Sequence, residues 1–257
     1  MLGAIAGDII GSVYERENIK TKQFPLFRPE SRFTDDTVLT VAIAEVLLHQ
    51  GDYTDTLKQY YQQFPHAGYG GTFKAWAGSS SREPYNSWGN GSAMRVSPVA
   101  YAFDDLEQVL QEAKVSAEAT HNHPEGIKGA QATAAAIFLA RTGQSQAEIK
   151  TYVESTFGYD LSQTLAAMRP HYRFDVSCQG SVPQAITAFL ESTDFEDAIR
   201  NAISLGGDSD TIACIAGSIA EAFYGGVPTA IAEETMMRLD QRLLDVVETF
   251  RKRYPIR

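Results

Sequence analysis

Two acidic clusters have the residue types needed for chemistry, Thr34-Asp35-Asp36 and Asp208-Ser209-Asp210-Thr211. Each comes directly before an apolar series of helical period, which predicts that each lies at the N-terminus of a helix. One such cluster is best explained as a helix cap, because Thr and Asp side chains accept hydrogen bonds from free backbone N–H groups and complement the helix dipole. A single cluster therefore does not predict a reactive site.

The second cluster favours a reactive site, because its helix is too rich in small residues for an ordinary protein surface. Gly206-Gly207 lets the chain turn before this helix. Four small residues follow within it: Ala213, Ala216, Gly217 and Ala220. A tightly packed helix that begins with two carboxylates needs a counter-charge, since an unpaired buried anion is very costly.

The two clusters together offer four aspartates and two threonine hydroxyls, a hard ligand set made only of oxygen. Such a set favours Mg²⁺, Mn²⁺ or Ca²⁺ over zinc, and two adjacent cations would suit this many carboxylates. An EF-hand is excluded, because neither cluster has the ligand spacing of the calcium loop or its terminal Glu.

A pair of histidines, His121 and His123, comes just before an alanine-rich helix. Gln131 and Ala134 stand where a zinc site of the H-x-H-P type needs Ser and Asp, so zinc is disfavoured. Capping of the helix explains at least one of the two histidines, and we assign a functional role to His121 only.

Two glycine-rich stretches, Gly68–Gly71 and Pro84–Arg95, have the composition of ligand-binding turns. Backbone N–H groups at a helix start can hold phosphate oxygens, and Tyr or Trp can stack on a base. Asn-Gly and Pro-Tyr pairs also occur in ordinary turns, so these stretches only support a site predicted on other grounds.

The length of 257 residues, with 44% apolar or aromatic, predicts a single domain over residues 1–257. A net charge of −10 disfavours unspecific binding to nucleic acid or to an anionic membrane, although a small phosphate-bearing ligand still fits a shaped pocket. We expect a monomer. Two cysteines without a CxxC pair, and an apolar N-terminus that lacks a basic segment and contains Asp8, predict a cytoplasmic protein in a reducing compartment.

The hydrophobic period predicts an all-α fold. Gly3, Gly7 and Gly11 recur every four residues on a first helix, so another backbone can approach that face closely. Further helices are expected at residues 35–49, 54–64 with Thr54 as N-cap, 106–119, 124–141, 146–157, 183–190, 195–204, 211–224 and 228–254. Residues 66–95 interrupt the helical period, and residues 172–177 are the best candidate for a short extended piece.

Taken together, these segments resemble the ADP-ribosylglycohydrolase family. The resemblance spans almost the whole chain and lies in Gly3–Asp8, Phe33–Thr37, Gly89–Arg95, Thr120-His121 and Gly206–Thr211. It implies a compact orthogonal bundle of α-helices with two Mg²⁺, or Mn²⁺, between the helix starts. The implied metal ligands are the six residues already selected for their chemistry: Thr34, Asp35, Asp36, Asp208, Asp210 and Thr211.

The resemblance also implies how an ADP-ribose-bearing substrate, such as an ADP-ribosylated protein, is bound. The residues implied to surround ADP-ribose are Gly68, Gly70, Gly71, Ser87, Trp88, Gly89, Asn90, Gly91 and His121. Tyr14-Glu15 matches the position of a mobile glutamate in the serine-type hydrolases, which disfavours ADP-ribosyl-arginine as substrate. Arg16-Glu17-Asn18 does not reproduce the residues that follow in those enzymes.

The implied reaction is hydrolysis of the N- or O-glycosidic bond between ADP-ribose and an acceptor, either a protein side chain or the acetyl group of O-acetyl-ADP-ribose. Asp35 or Asp210 would take the water proton and Glu15 would assist the leaving group. A non-catalytic ADP-ribose-binding or toxin-neutralising protein is the alternative. A metal-dependent phosphohydrolase is the third class, but the chain lacks its H…HD…D pattern.

Overall fold

The computed structural model describes residues 1–255, so the last two residues of the predicted domain lie outside the described part. The chain is built from helices, and within the described residues the only β-type pairing is an isolated antiparallel bridge between Gly89 and Ser177. The prediction of an all-α fold is confirmed. In chain order the helices are α1 Leu2–Gly11, α2 Asp35–His49, α3 Tyr53–Gln63, α4 Gly71–Ala77, α5 Gly91–Met94, α6 Val99–Ala102, α7 Leu106–Glu118, α8 Pro124–Arg141, α9 Gln146–Phe157, α10 Leu165–Met168, α11 Cys178–Leu190, α12 Phe195–Ser204, α13 Ser209–Phe223, α14 Thr229–Met237 and α15 Gln241–Arg253.

The centre of the fold is the contact between α1 and α13, which bury every residue of α1 and all but the last of α13. A Cβ atom on Gly7 would lie 2.1 Å from the carbonyl oxygen of Ala213, and one on Gly3 would lie 2.3 Å from that of Gly217. The two backbones are therefore in direct contact, as the glycine spacing predicted. Gly11 continues this face, since its Cβ atom would lie 2.5 Å from the Cα atom of Asp210.

The surrounding helices complete a core around this pair. Helices α8, α11 and α12 pack against α13, whereas α2 and α14 pack against α1. Both cysteines are free and buried. Among the helices of residues 1–255, none combines the length and apolarity required to cross a membrane.

Several predicted helix boundaries are wrong, among them the start of α13, which lies at Ser209 rather than at residue 211. The stretch 228–254 forms two helices, because Asp240 interrupts it and its side chain caps α15 by accepting a hydrogen bond from the Arg242 N–H at 2.9 Å. Helix α3 starts one residue before Thr54, with Asp52 as its N-cap. Helix α11 starts at Cys178, where Ser177 caps it, and Pro183 lies inside it rather than at its first position.

The segment 66–95 does break the helical period, but it contains α4 and the single turn α5. Of the piece expected to be extended, residues 172–177, only the end pairs with another segment. There Asn90 donates its N–H to the carbonyl of Val176 at 2.7 Å, and Cys178 donates to that of Trp88 at 3.1 Å. This pairing joins the second glycine-rich stretch to the start of α11.

Candidate active site

The starts of α2 and α13 converge, which brings the two acidic clusters together. The Thr211 hydroxyl donates to the carboxylate of Asp36, with distances of 3.1 and 3.2 Å to its two oxygens. Thr34 caps α2 by accepting a hydrogen bond from the Asp36 N–H, whereas Asp208 makes no side-chain cap on α13. Capping thus accounts for Thr34 but not for the carboxylates of the second cluster.

Asp8 is a part of this site that the sequence analysis did not select. Its buried carboxylate accepts hydrogen bonds from the N–H of Thr34 at 2.9 Å, the hydroxyl of Thr34 at 2.6 Å and the N–H of Thr37 at 3.1 Å, and it also contacts the Thr37 hydroxyl. Asp8 therefore fixes the start of α2 on α1. The signal available in the sequence was its position as the one charged residue of an otherwise apolar first helix.

Two groups of carboxylates come close enough to share cations. Oxygen atoms of Asp8, Asp36 and Asp210 lie within 4.8 Å of one another, and so do those of Glu15, Asp208 and Asp210. Within residues 1–255, the observed ion pairs involve none of these five side chains. Asp210 belongs to both groups.

The electrostatics of these side chains fit a bound cation. Burial, followed by the charges of Asp8 and Asp35, holds the pKa of Asp36 well above its usual range. Burial and then the charge of Asp208 do the same to the pKa of Asp210. Because crowded buried carboxylates resist ionisation, a divalent cation would supply the missing counter-charge, and the all-oxygen donor set suits a hard ion. The acidic clusters could therefore hold metal ions.

Asp35 has a different environment from Asp36. It is partly exposed and belongs to neither close group, and its Oδ1 atom lies 3.2 Å from the position that a Cβ atom on Gly68 would take. Burial, followed by the charge of Asp8, raises the pKa of Asp35 to about 7. Asp35 thus lies at the border between the acidic clusters and the first glycine turn.

Glu15 lies in the turn that follows α1 and is half-buried. Burial and then the charge of Asp208 raise its pKa. Asn18 holds this turn in place, since its amide nitrogen donates to the carbonyls of Tyr14 and Glu15, both at 2.8 Å, and to that of Gly207 at 3.1 Å. Its amide oxygen accepts the N–H of Gly207 at 2.5 Å, next to Asp208.

A cleft of about 520 Å³ opens above the acidic clusters. Every predicted metal-ligand, catalytic and substrate-binding residue lines it except Trp88. Trp88 is 52% exposed and does not line the cleft. Other residues that line the cleft were not predicted: Arg16, Arg32, Leu39, His66, Ala67, Thr72, Phe73, Tyr85, Met94, Arg95, Phe174 and Val176.

Asn90 ties the second glycine turn to the acidic clusters. Its amide nitrogen donates to Asp208 at 2.6 Å and to the Ser181 hydroxyl at 3.0 Å. Gly70 and Gly71 face open space, because a Cβ atom on either would meet no atom within 4 Å. The cleft therefore has an acidic floor, and glycine backbone contributes to its lining.

Helix capping, predicted for at least one of the two histidines, is confirmed for His123. The ring of His123 caps α8 by accepting a hydrogen bond from the Glu125 N–H at 3.1 Å. His121 is 4% exposed, and its Nδ1 atom lies 2.7 Å from the Thr120 hydroxyl. Burial, followed by the charge of Arg95, holds the pKa of His121 well below its usual range. Both effects favour the neutral ring.

Residues 1–255 match the family model described as ADP-ribosylglycohydrolase. The chain belongs to this family. It is 29% identical to the ADP-ribosylhydrolase ARH3 of Mus musculus, over 88% of this chain and 82% of the mouse protein. It is 26% identical to the ADP-ribosylarginine hydrolase Tri1 of Pseudomonas putida, over 95% of this chain and 76% of that protein.

A solved structure of an ADP-ribosylglycohydrolase-related protein complex has the same fold, with a TM-score of 0.69 at 23% sequence identity, covering 98% of this chain and 96% of that chain. The resemblance seen in the sequence motifs is thus confirmed by family, relatives and fold. The chain is a glycohydrolase of this family.

Proposed function

We propose that this chain is a divalent-metal-dependent hydrolase that cleaves the N- or O-glycosidic bond between ADP-ribose and an acceptor, releasing ADP-ribose. The acceptor is a modified protein side chain or the acetyl group of O-acetyl-ADP-ribose. The observation that carries the proposal is the convergence of Asp36, Asp208 and Asp210 in one cleft that both glycine turns also line.

The ligands proposed for two Mg²⁺, or Mn²⁺, are Thr34, Asp35, Asp36, Asp208, Asp210 and Thr211. When bound, such cations supply positive charge that orients ribose hydroxyls and lowers the pKa of a nearby water. We assign Asp8 a supporting role, because its carboxylate accepts four hydrogen bonds from Thr34 and Thr37, three of them at Oδ2.

Hydrolysis requires a proton acceptor for water and a proton donor for the leaving group. Water attacks the anomeric carbon of the distal ribose while the bond to the acceptor breaks, and its electron pair leaves with the acceptor. Asp35 takes the water proton in this proposal, since it is partly exposed beside Gly68. Asp210, which is buried and common to both carboxylate groups, is the second candidate. Glu15 gives its proton to the leaving atom, and its raised pKa supports that role.

The remaining cleft residues bind the ADP-ribose portion. Backbone amides of Gly68–Gly71, Trp88 and Gly91 hold the diphosphate, as free N–H groups at turns and helix starts can do. The N–H groups of Ser87, Gly89 and Asn90 already donate within the chain. His121 completes this binding surface.

A hydrolysis panel tests the proposal. Serine-, arginine- and acetyl-linked ADP-ribose are incubated with the protein in Mg²⁺ or in EDTA, and free ADP-ribose is measured. We expect release from at least one substrate in Mg²⁺ only, with the arginine linkage cleaved more slowly than the serine linkage because of Glu15. The variants Asp35→Asn and Asp210→Asn should lose turnover at saturating Mg²⁺.

The matched control is Asp160→Asn, an exposed aspartate remote from the cleft, which should retain wild-type turnover. Normal turnover by Asp35→Asn would remove Asp35 from the proposed mechanism. Tight binding of ADP-ribose without release from any linkage would instead favour a non-catalytic binding protein, and AMP as product would indicate a phosphohydrolase.

A further inference from the structure

Arg95 is an unusual residue of the cleft, because its guanidinium is completely buried and makes no ion pair within residues 1–255. One terminal nitrogen donates to the carbonyl of Ser116 at 3.0 Å and to the Thr120 hydroxyl oxygen at 2.8 Å. Its Nε and other terminal nitrogen have no partner in the described chain. Burial of a cation without a counter-charge is costly, so the contact between Arg95 and Thr120 calls for a functional explanation.

The contact between Arg95 and Thr120 favours one direction for the hydrogen bond between Thr120 and His121. A guanidinium only donates, so the Thr120 oxygen must accept from Arg95. The hydroxyl hydrogen is then free to point at the Nδ1 atom of His121, 2.7 Å away. A hydroxyl that accepts from a cation becomes a stronger donor, because hydrogen bonds in a chain polarise one another. This arrangement favours Nδ1 as the acceptor in the pair, over a second hydrogen bond accepted by Thr120.

The opposite edge of the ring faces the second glycine turn. The Nε2 atom of His121 lies 3.1 Å from the position of a Cβ atom on Gly91 and 3.7 Å from that on Gly89. His121 lines the cleft, and Nε2 has no hydrogen-bond partner among the described residues. A neutral imidazole that accepts at Nδ1 carries its proton at Nε2.

We propose that Arg95 and Thr120 are positioning residues that hold His121 as a neutral Nε2–H donor aimed into the cleft beside Gly89 and Gly91. The group received at Nε2 is then an acceptor oxygen, which the diphosphate or a ribose hydroxyl of ADP-ribose supplies. The identity of this ligand rests on the proposed function, whereas the orientation of the ring does not. Thr120 also accepts the Ser87 N–H at its backbone carbonyl, at 3.3 Å, and so holds the turn as well as the ring.

The first test is nitrogen NMR of the full chain labelled with ¹⁵N-histidine. The five histidines are separated by comparison with a His121→Gln sample. We expect His121 to show an unprotonated Nδ1 and a protonated Nε2 across neutral pH. A protonated Nδ1 or a cationic ring in the wild-type protein would overturn the proposal, and this readout requires neither substrate nor a stable variant.

The second test removes the hydroxyl. Thr120→Val should weaken ADP-ribose binding about tenfold and change the His121 tautomer, since one hydrogen bond is lost. Thr120→Ser keeps the hydroxyl and should restore both readouts. Thr133→Val is the matched control, because Thr133 is buried and its hydroxyl has no partner in residues 1–255.

Wild-type affinity and tautomer in Thr120→Val would contradict the positioning role. The two proposals fail separately: a protein with the expected tautomer that binds ADP-ribose but releases none from any linkage keeps this inference and loses the hydrolase proposal. Hydrolysis by a protein whose His121 is protonated at Nδ1 would keep the hydrolase proposal and overturn this inference.

Discussion

The cleft has two halves that are held in different ways. The acidic half consists of Asp36, Asp208 and Asp210 at the starts of α2 and α13, and Asp8 of α1 is bonded to the start of α2. Backbones in direct contact hold it, because Gly3 and Gly7 leave no space between α1 and α13. The loop half consists of the Glu15 turn, Gly68–Gly71 and Ser87–Gly91. Isolated hydrogen bonds hold it. The Asn18 amide donates to the Gly207 carbonyl, the Asn90 amide donates to the Asp208 carboxylate, and the Thr120 carbonyl accepts the Ser87 N–H.

This difference separates two demands on the site. Metal ligands need fixed positions, and rigid packed helices supply them. Substrate-binding loops can change length and sequence without disturbing such a scaffold. We therefore infer that acceptor specificity lies in the loop half, whereas the acidic half determines stability and metal affinity.

The largest effect on the free energy of unfolding is expected from Gly7→Ala. The new Cβ atom would lie 2.1 Å from the Ala213 carbonyl oxygen, which is backbone and cannot rotate away. Separation of α1 and α13 should lower the free energy of unfolding by about 3 kcal/mol or more, since overpacking is costly where neighbours cannot move. Urea unfolding followed by circular dichroism measures this change.

Gly70→Ala is the matched control from the loop half. Gly70 has a negative φ of −60° and its Cβ atom would meet open space, so the free energy of unfolding should change by less than about 0.5 kcal/mol. ADP-ribose affinity should nevertheless fall, because the added methyl group faces the cleft. Equal destabilisation by both substitutions would contradict the division into two halves.

A somewhat smaller effect on the free energy of unfolding is expected from binding of Mg²⁺. A ligand that binds only the folded state at about 100 times its Kd raises the free energy of unfolding by about 2.7 kcal/mol. Thermal unfolding should therefore shift upward in Mg²⁺ relative to EDTA. Asp36→Asn should abolish the shift, and in EDTA it should be at least as stable as wild type, because burial and neighbouring charges oppose ionisation of Asp36.

Asp160→Asn serves as the control and should keep the full Mg²⁺ shift, since Asp160 is exposed away from the cleft. A wild-type protein that unfolds at the same temperature in Mg²⁺ and in EDTA would show that the acidic half holds no stabilising cation.

The acidic half was largely predictable from the sequence, because its information is local. A cluster beside an apolar helix reveals Asp36 and Asp210, and a four-residue period reveals the glycine face of α1. Asp8 was missed since its partners, Thr34 and Thr37, lie 26 and 29 residues away, and only the fold brings them together.

The loop half was less predictable, because its contacts also join residues that lie far apart in the sequence. Asn18 contacts Gly207 across 189 residues, and Arg95 reaches Thr120 across 25, with no periodic pattern to indicate either contact. Trp88 was selected by its motif, but a motif does not determine on which side of a turn a side chain lies. Helix ends were missed where two caps competed, as at Asp52 and Thr54.

A smaller effect on stability than that of Mg²⁺ is expected from Asn18→Ala, which also tests the loop half most directly. Asn18 is exposed, so loss of its bonds to Glu15 and Gly207 should lower the free energy of unfolding by only about 1 kcal/mol. Turnover should fall further than stability suggests, because Glu15 loses the contact that holds its turn beside Asp208. Lys20→Met is the control, since it removes bonds from the same segment to Tyr172 and Leu205 but none to Glu15. We expect kcat to fall in Asn18→Ala and to stay near wild type in Lys20→Met, and equal kcat values in the two variants would mean that Asn18 does not position Glu15.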